Sequence, residues 1–115
     1  MAEKGGVVDK RNRAMYDERA RIIKALSHPA RLLIVDRLSE GPRCVCEIRG
    51  WVGSDMSTVS KHLAVLRNAG IVSDEKRGLQ VFYSLRCTCV NQFLACAEQV
   101  YRTTTHDRMR LMEAG

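Results

Sequence analysis

The sequence predicts a mainly α-helical fold with one small β-hairpin, a winged helix-turn-helix. Three observations predict it. Two short stretches of helical periodicity, residues 44–52 and 56–68, are separated only by the turn Gly53-Ser54-Asp55. The period then changes to two over residues 71–85, around the basic turn Lys76-Arg77-Gly78. The chain also carries 19 Lys and Arg against 13 Asp and Glu, a formal charge of +6, which suits a polyanionic partner such as DNA.

At 115 residues the chain is one domain's worth of sequence, with 45% hydrophobic and 28% charged residues, a globular balance. The longest aliphatic run, Leu32-Leu33-Ile34-Val35, is far shorter than the roughly 20 residues a membrane helix needs, so no membrane partner is expected. Met1-Ala2-Glu3-Lys4-Gly5-Gly6 lacks the apolar stretch of a signal peptide, and a cytoplasmic location is expected. Residues 1–10, with two glycines and mixed charge, read as a flexible tail, and residues 11–115 as the folded domain.

The elements follow in order. Residues 11–26 form a helix in which Met15, Ile22 and Leu26 share a stripe, with Tyr16 and Ile23 beside it. Ser27-His28-Pro29 ends it, and Pro29 opens a second helix, since a first-position proline lacks only an N–H that has no helical partner there. That helix carries Leu32, Leu33, Val35 and Leu38 and stops at Gly41-Pro42. Residues 44–52 form a third, with Val45, Ile48 and Val52 inward. Asp55 caps a fourth over residues 56–68. Its inner face is Val59, Leu63 and Leu66; its small, polar outer face is Ser57, Thr58, Ser60, Lys61 and Ala64. Gly70 suits the left-handed cap that closes it. A strand over residues 71–74 and one in which Leu79, Val81, Tyr83 and Leu85 alternate make the hairpin. From Val90 a last helix carries Phe93, Leu94, Ala97, Val100 and Tyr101 on one stripe, with fraying expected past Thr105. So long a stripe either covers the core or meets a second copy of itself.

A helix with small polar residues outward can enter a major groove about 12 Å wide. Ser57, Thr58, Ser60 and Lys61 would meet base edges and phosphates, and Lys76 and Arg77 the flanking backbone or minor groove. His62 falls at the boundary of the two faces, as a packed or phosphate-touching residue rather than a base reader. The segment 25–35, Ala-Leu-Ser-His-Pro-Ala-Arg-Leu-Leu-Ile-Val, with residues 57–72 and the wing segment 78–85, resembles the ArsR/SmtB family of metal-sensing repressors. The resemblance implies a homodimer joined through its first and last helices. It also implies repression at a palindromic operator in double-stranded DNA, relieved when a ligand binds.

Five cysteines are many for a chain expected in a reducing compartment, where a disulfide framework is disfavoured and thiol or metal chemistry favoured. Cys44-Val45-Cys46-Glu47-Ile48 resembles the family's Cys-Val-Cys metal box, implying As(III) or Sb(III) as inducer, with Cd(II), Pb(II) or Zn(II) as alternatives. The family's zinc site on the last helix is missing, since His106 alone cannot build it. A helix N-terminus and Arg43 both favour thiolates, and thiolates select soft ions. Two residues apart on a helix lie about 200° apart around its axis, so the sulfurs of Cys44 and Cys46 converge only if that turn is extended or distorted. Cys89 and Cys96 are expected to complete the set, with Cys87 a weaker candidate; Cys89 and Cys96 stand about 10 Å apart along a helix. The resemblance implies a second reading, since some members sense oxidants or reactive sulfur: a disulfide or polysulfide bridge from Cys44 or Cys46 to Cys96. A thiol enzyme or metal carrier is disfavoured, because no general base, nucleophile constellation or phosphate loop accompanies the thiols.

Overall fold

The computed structural model describes residues 9–114. The expected tail therefore lies outside the described residues apart from its last two. Asp9 caps the first helix by accepting the Asn12 N–H at 2.9 Å, and Lys10 begins it. The order is α1 Lys10–Ala25, α2 Pro29–Leu38, β1 Arg43–Cys44, α3 Val45–Val52, α4 Met56–Asn68, β2 Val72–Arg77, β3 Gln80–Leu85 and α5 Val90–Ala114.

Local chemistry sets most of the boundaries. His28 caps α2, its Nδ1 accepting the Ala30 N–H at 3.0 Å, with Pro29 in the first turn. Gly53 ends α3 in the left-handed region at φ 72°, which only glycine enters without a steric penalty. Two residues later Asp55 starts α4. Ile34 and Val35 of α2, Ile48 of α3, and Val59, Leu63 and Leu66 of α4 meet in one core closed by Val72 and Tyr83 of the hairpin. Each such side chain contributes about 1.5–3 kcal/mol by burial, so α3 and α4 are held as a pair against α2.

Three expectations change. First, Cys44 is not in the third helix. It lies in β1, a two-residue strand that joins a three-stranded antiparallel sheet of order β1-β3-β2, with Arg43 opposite Tyr83 and Cys44 opposite Phe82. Second, Lys76 and Arg77 are not the turn. They end β2, Arg77 pairs with Gln80, and the loop is Gly78-Leu79. Gly78, at φ 65°, takes the first position of a two-residue hairpin loop, a place glycine favours. Leu79, expected on the inward alternation, is 99% exposed at the wing's tip. Third, α5 does not fray past Thr105 but runs unbroken to Ala114. Val90 and Leu94 pack on the core, while Phe93, Val100, Tyr101, Met109, Leu111 and Met112 are exposed.

Candidate DNA-binding face and thiol sites

The outer face of α4 begins at Asp55. Its carboxylate accepts the Thr58 N–H at 2.8 Å and the Ser57 hydroxyl at 3.1 Å. Those hydrogen bonds, with the charge of Arg49 behind them, hold its pKa below the ordinary aspartate value. They also fix the first turn from which Ser57, Ser60 and Lys61 project into solvent; Thr58 is half-buried. Arg67 at the far end of α4 pairs with Asp74 of β2 at 3.1 Å and ties the helix to the wing. On the wing, Lys76 and Arg77 are exposed. Arg77 reaches Glu75 at 3.1 Å and lies 4.8 Å over the Phe82 ring, so its guanidinium is oriented along the hairpin. Helix face and wing together offer the exposed hydroxyls and cations that groove and phosphate contacts require.

His62 goes the other way. It is 9% exposed, its ring 4.4 Å from that of His28, and its Nδ1 lies 3.3 Å from Arg31 Nη1. Arg31 in turn donates through Nε to the Ala25 carbonyl at 2.6 Å. The cluster of His28, Arg31 and His62 has no spacing signature in the sequence, although the capping position of His28 beside Pro29 is a local signal for one member. It seats α4 on the α1–α2 junction, and places His62 away from the exposed helix face.

The thiols fall into two pairs and a single residue. Cys44 caps α3 in an extended conformation, φ −75° and ψ 156°, and makes no side-chain capping bond. This is the extended turn that convergence required. The Cα atoms of Cys44 and Cys46 are 5.4 Å apart and the sulfurs are joined. Cys44 is buried and Cys46 exposed. Cys87 and Cys89 are likewise joined, Cα atoms 5.4 Å apart, in the link from β3 to α5. Both bonds close loops within Cys-x-Cys segments, the first joining β1 only to the α3 that directly follows it, so they are not a framework. Cys96 is free and exposed on α5.

Cys89 and Cys96 are thus not brought to Cys44 and Cys46. Among the described residues no group of three or more His, Cys, Asp or Glu side chains is placed to hold a metal ion. The reason is topological. Cys44 sits opposite Phe82 in the middle of β3, whereas Cys87 and Cys89 follow the end of that strand at Leu85. Two sulfurs remain as a soft-ligand pair at α3. No helix among the described residues is long and apolar enough to cross a membrane.

Comparison with known proteins agrees with this geometry. Residues 28–74 match the family model described as "Bacterial regulatory protein, arsR family". The chain is 35% identical over 100 residues to the uncharacterized HTH-type transcriptional regulator Rv0081 of Mycobacterium tuberculosis, covering 86% of this chain and 88% of that one. The Rv0081 crystal structure matches with a TM-score of 0.75 over 83% of this chain and 96% of its own. A cadmium resistance transcriptional regulatory protein, the CadC homolog of Staphylococcus aureus, is 39% identical over 94 residues, 75% of this chain and 78% of that one. The homodimeric winged helix-turn-helix DNA-binding domain Mb0332 of Mycobacterium bovis matches with a TM-score of 0.74 at 29% identity, covering 90% of this chain and 95% of that one.

Proposed function

Because the chain belongs to the ArsR family of bacterial helix-turn-helix regulators, which bind DNA and are not enzymes, we propose that it is a cytoplasmic, homodimeric repressor released from its operator by a thiophilic ion. Ser57, Thr58, Ser60 and Lys61 meet the major groove; Lys76 and Arg77 meet the flanking backbone. His62 supports α4 from beneath rather than touching DNA. The inducer is As(III) or Sb(III), held by Cys44 and Cys46. Cd(II), for which the Staphylococcus aureus relative is named, is the nearest alternative. Zn(II) and Pb(II) are the further alternatives.

One observation carries this reading. Cys44 is at once a sulfur of the pair, the cap of α3 and the residue that ladders β1 onto wing strand β3. A ligand that fixes both sulfurs fixes the start of α3, which packs on α4, and the strand that sets the wing. DNA contact needs both elements in one relative pose, so the ligand acts on both. By linkage the operator weakens ligand binding by the same factor, typically about 5–150-fold.

The test is operator release. In a chain that also carries Cys87→Ser and Cys89→Ser, Cys44→Ser and Cys46→Ser should each bind the chain's own upstream DNA like the parent, while arsenite no longer displaces it. Release of both variants at the parent's arsenite concentration sinks the assignment.

The joined sulfurs of Cys44 and Cys46 favour one second reading, a thiol-oxidation sensor. Its switch is then the pair itself and not a bridge to the distant Cys96. Intact-mass measurement after mild oxidation separates the two: a loss of two protons that abolishes DNA binding without any metalloid supports the second reading.

A further inference from the structure

We propose that Cys87 and Cys89 form a second dithiol site, separate from Cys44 and Cys46, which takes a monosubstituted trivalent arsenical through both sulfurs at the joint between the wing and α5. The inference shares the DNA-binding role argued above, but nothing in it depends on Cys44 or Cys46.

Four observations carry it. The Cα spacing of the second pair, 5.4 Å, equals that of the first, and its sulfurs also meet. Both residues are exposed, so a ligand reaches them without opening the core. The surroundings favour thiolates: Arg86 precedes the pair, and the first turn of α5 holds no acidic residue. Finally, the backbone ties the site to the reading head. The Arg86 N–H donates to the Ile71 carbonyl at 2.9 Å, and the Ile71 N–H donates to the Leu66 carbonyl at the end of α4 at 3.0 Å. On the other side the Cys89 carbonyl accepts the N–H groups of Gln92 and Phe93 at 3.1 and 3.3 Å, the first turn of α5.

The pair therefore lies where the wing's return strand, the end of α4 and the start of α5 converge. The two thiol sites do not share an ion within one protomer, since among the described residues no group of three or more His, Cys, Asp or Glu side chains is placed to hold one. Cys96, about 10 Å along α5 from Cys89, takes no part.

The chemistry balances without a change in arsenic oxidation state. A glutathione-class thiol first opens the Cys87–Cys89 bond: two thiols surrender two electrons and two protons, become a disulfide, and leave two cysteine thiols. Those thiols then attack the arsenical. Two As–S bonds form, the arsenic–oxygen link breaks, and both thiol protons leave with that oxygen as water. The S–As–S bridge between the two cysteines becomes a clip on the β3–α5 joint.

The probe is phenylarsine oxide, used on the reduced full-length chain carrying Cys96→Ser. Intact mass should give two adducts in that background, one in the Cys44→Ser/Cys46→Ser form and one in the Cys87→Ser/Cys89→Ser form. Fluorescence anisotropy on the upstream DNA should show the Cys44→Ser/Cys46→Ser form still weakened about tenfold by the probe, an ordinary coupling between two sites. No adduct on that form, or an adduct with unchanged DNA affinity, overturns the proposal. The opposite variant isolates the earlier reading. If Cys87→Ser/Cys89→Ser responds while Cys44→Ser/Cys46→Ser does not, the α3 site stands and this one falls. Equal DNA binding of all forms without probe shows that each is folded.

Discussion

His62 occupies the middle of α4 and yet points inward, where burial favours its neutral ring and the nearby His28 and Arg31 disfavour a further positive charge. Its pKa accordingly lies below the ordinary 6.5. Arg31 donates to its Nδ1, so the proton of the neutral ring belongs on Nε2. The direction of the shift fixes a pH dependence. As acid is added, the unfolded chain takes up the proton first, near 6.5, while the folded ring resists it. Stability from this site is present above that value and lost as pH falls through the depressed folded value. Thermal melts should therefore show Tm falling below about pH 6.5, with a shallower slope in His62→Gln over the same window. An unchanged slope in that variant assigns the acid sensitivity to another group. The Asp55 carboxylate does not confuse the measurement, because its pKa is lowered from 3.8 and its contribution is lost only in stronger acid.

Elements whose ends are written in neighbouring residues were legible in the sequence. Pro29, Gly53 and Asp55 act within a turn of where they stand, and α2, the end of α3 and the start of α4 fall where they point. β1 was not legible, because two residues become a strand only through partners on β3 some forty positions later. That single non-local pairing also decided the thiol site. It extends Cys44, makes its sulfur meet that of Cys46, and separates the pair from Cys87 and Cys89. The wing's turn lies beyond the expected Lys76-Arg77-Gly78, because the basic residues mask the shorter Gly78-Leu79 loop. The corrected register keeps both cations at the wing's end but gives them different settings. Lys76 is an exposed point charge, whereas Arg77 is held by Glu75 and Phe82. Lys76→Ala should weaken DNA binding evenly across sequences and reduce the salt dependence, log K against log salt, by about one per protomer. Ser57→Ala should instead alter sequence preference and leave that slope in place. Titrations at several salt concentrations on cognate and scrambled duplexes check both, and a sequence-selective loss in Lys76→Ala contradicts the phosphate role.

At the scale of the molecule the chain is too extended for a self-sufficient domain. Its radius of gyration is 18.3 Å, whereas a compact domain of this length has one of about 13 Å. The excess comes with α5, a 25-residue helix that packs on the core near its start and then projects with its apolar stripe exposed. Beside it, Ile23, Leu26, Leu32 and Leu33 of the first two helices join Phe93, Leu94 and Tyr101 around an open apolar groove of about 730 Å³. Large apolar surface left on a small domain marks an interaction site. Here one wall comes from the end of α1 and from α2 and the other from α5, and α1 and α5 are the two helices that the ArsR resemblance assigns to dimer contact. A second copy covers the stripe and supplies the second reading head that a palindromic operator requires, since a two-fold protein reads two half-sites. Sedimentation of the parent should give twice the 13.0 kDa chain mass. Tyr101→Glu places a charge on a residue that is 60% exposed in the protomer, so it spares the core and strikes only the shared face. That variant should sediment as the single chain, keep its helical circular dichroism, and lose at least tenfold in affinity for a two-half-site duplex, because the second half-site no longer binds as part of one molecule. If it remains dimeric with full affinity, copies of the chain meet through some other surface and the exposed stripe of α5 needs a different partner.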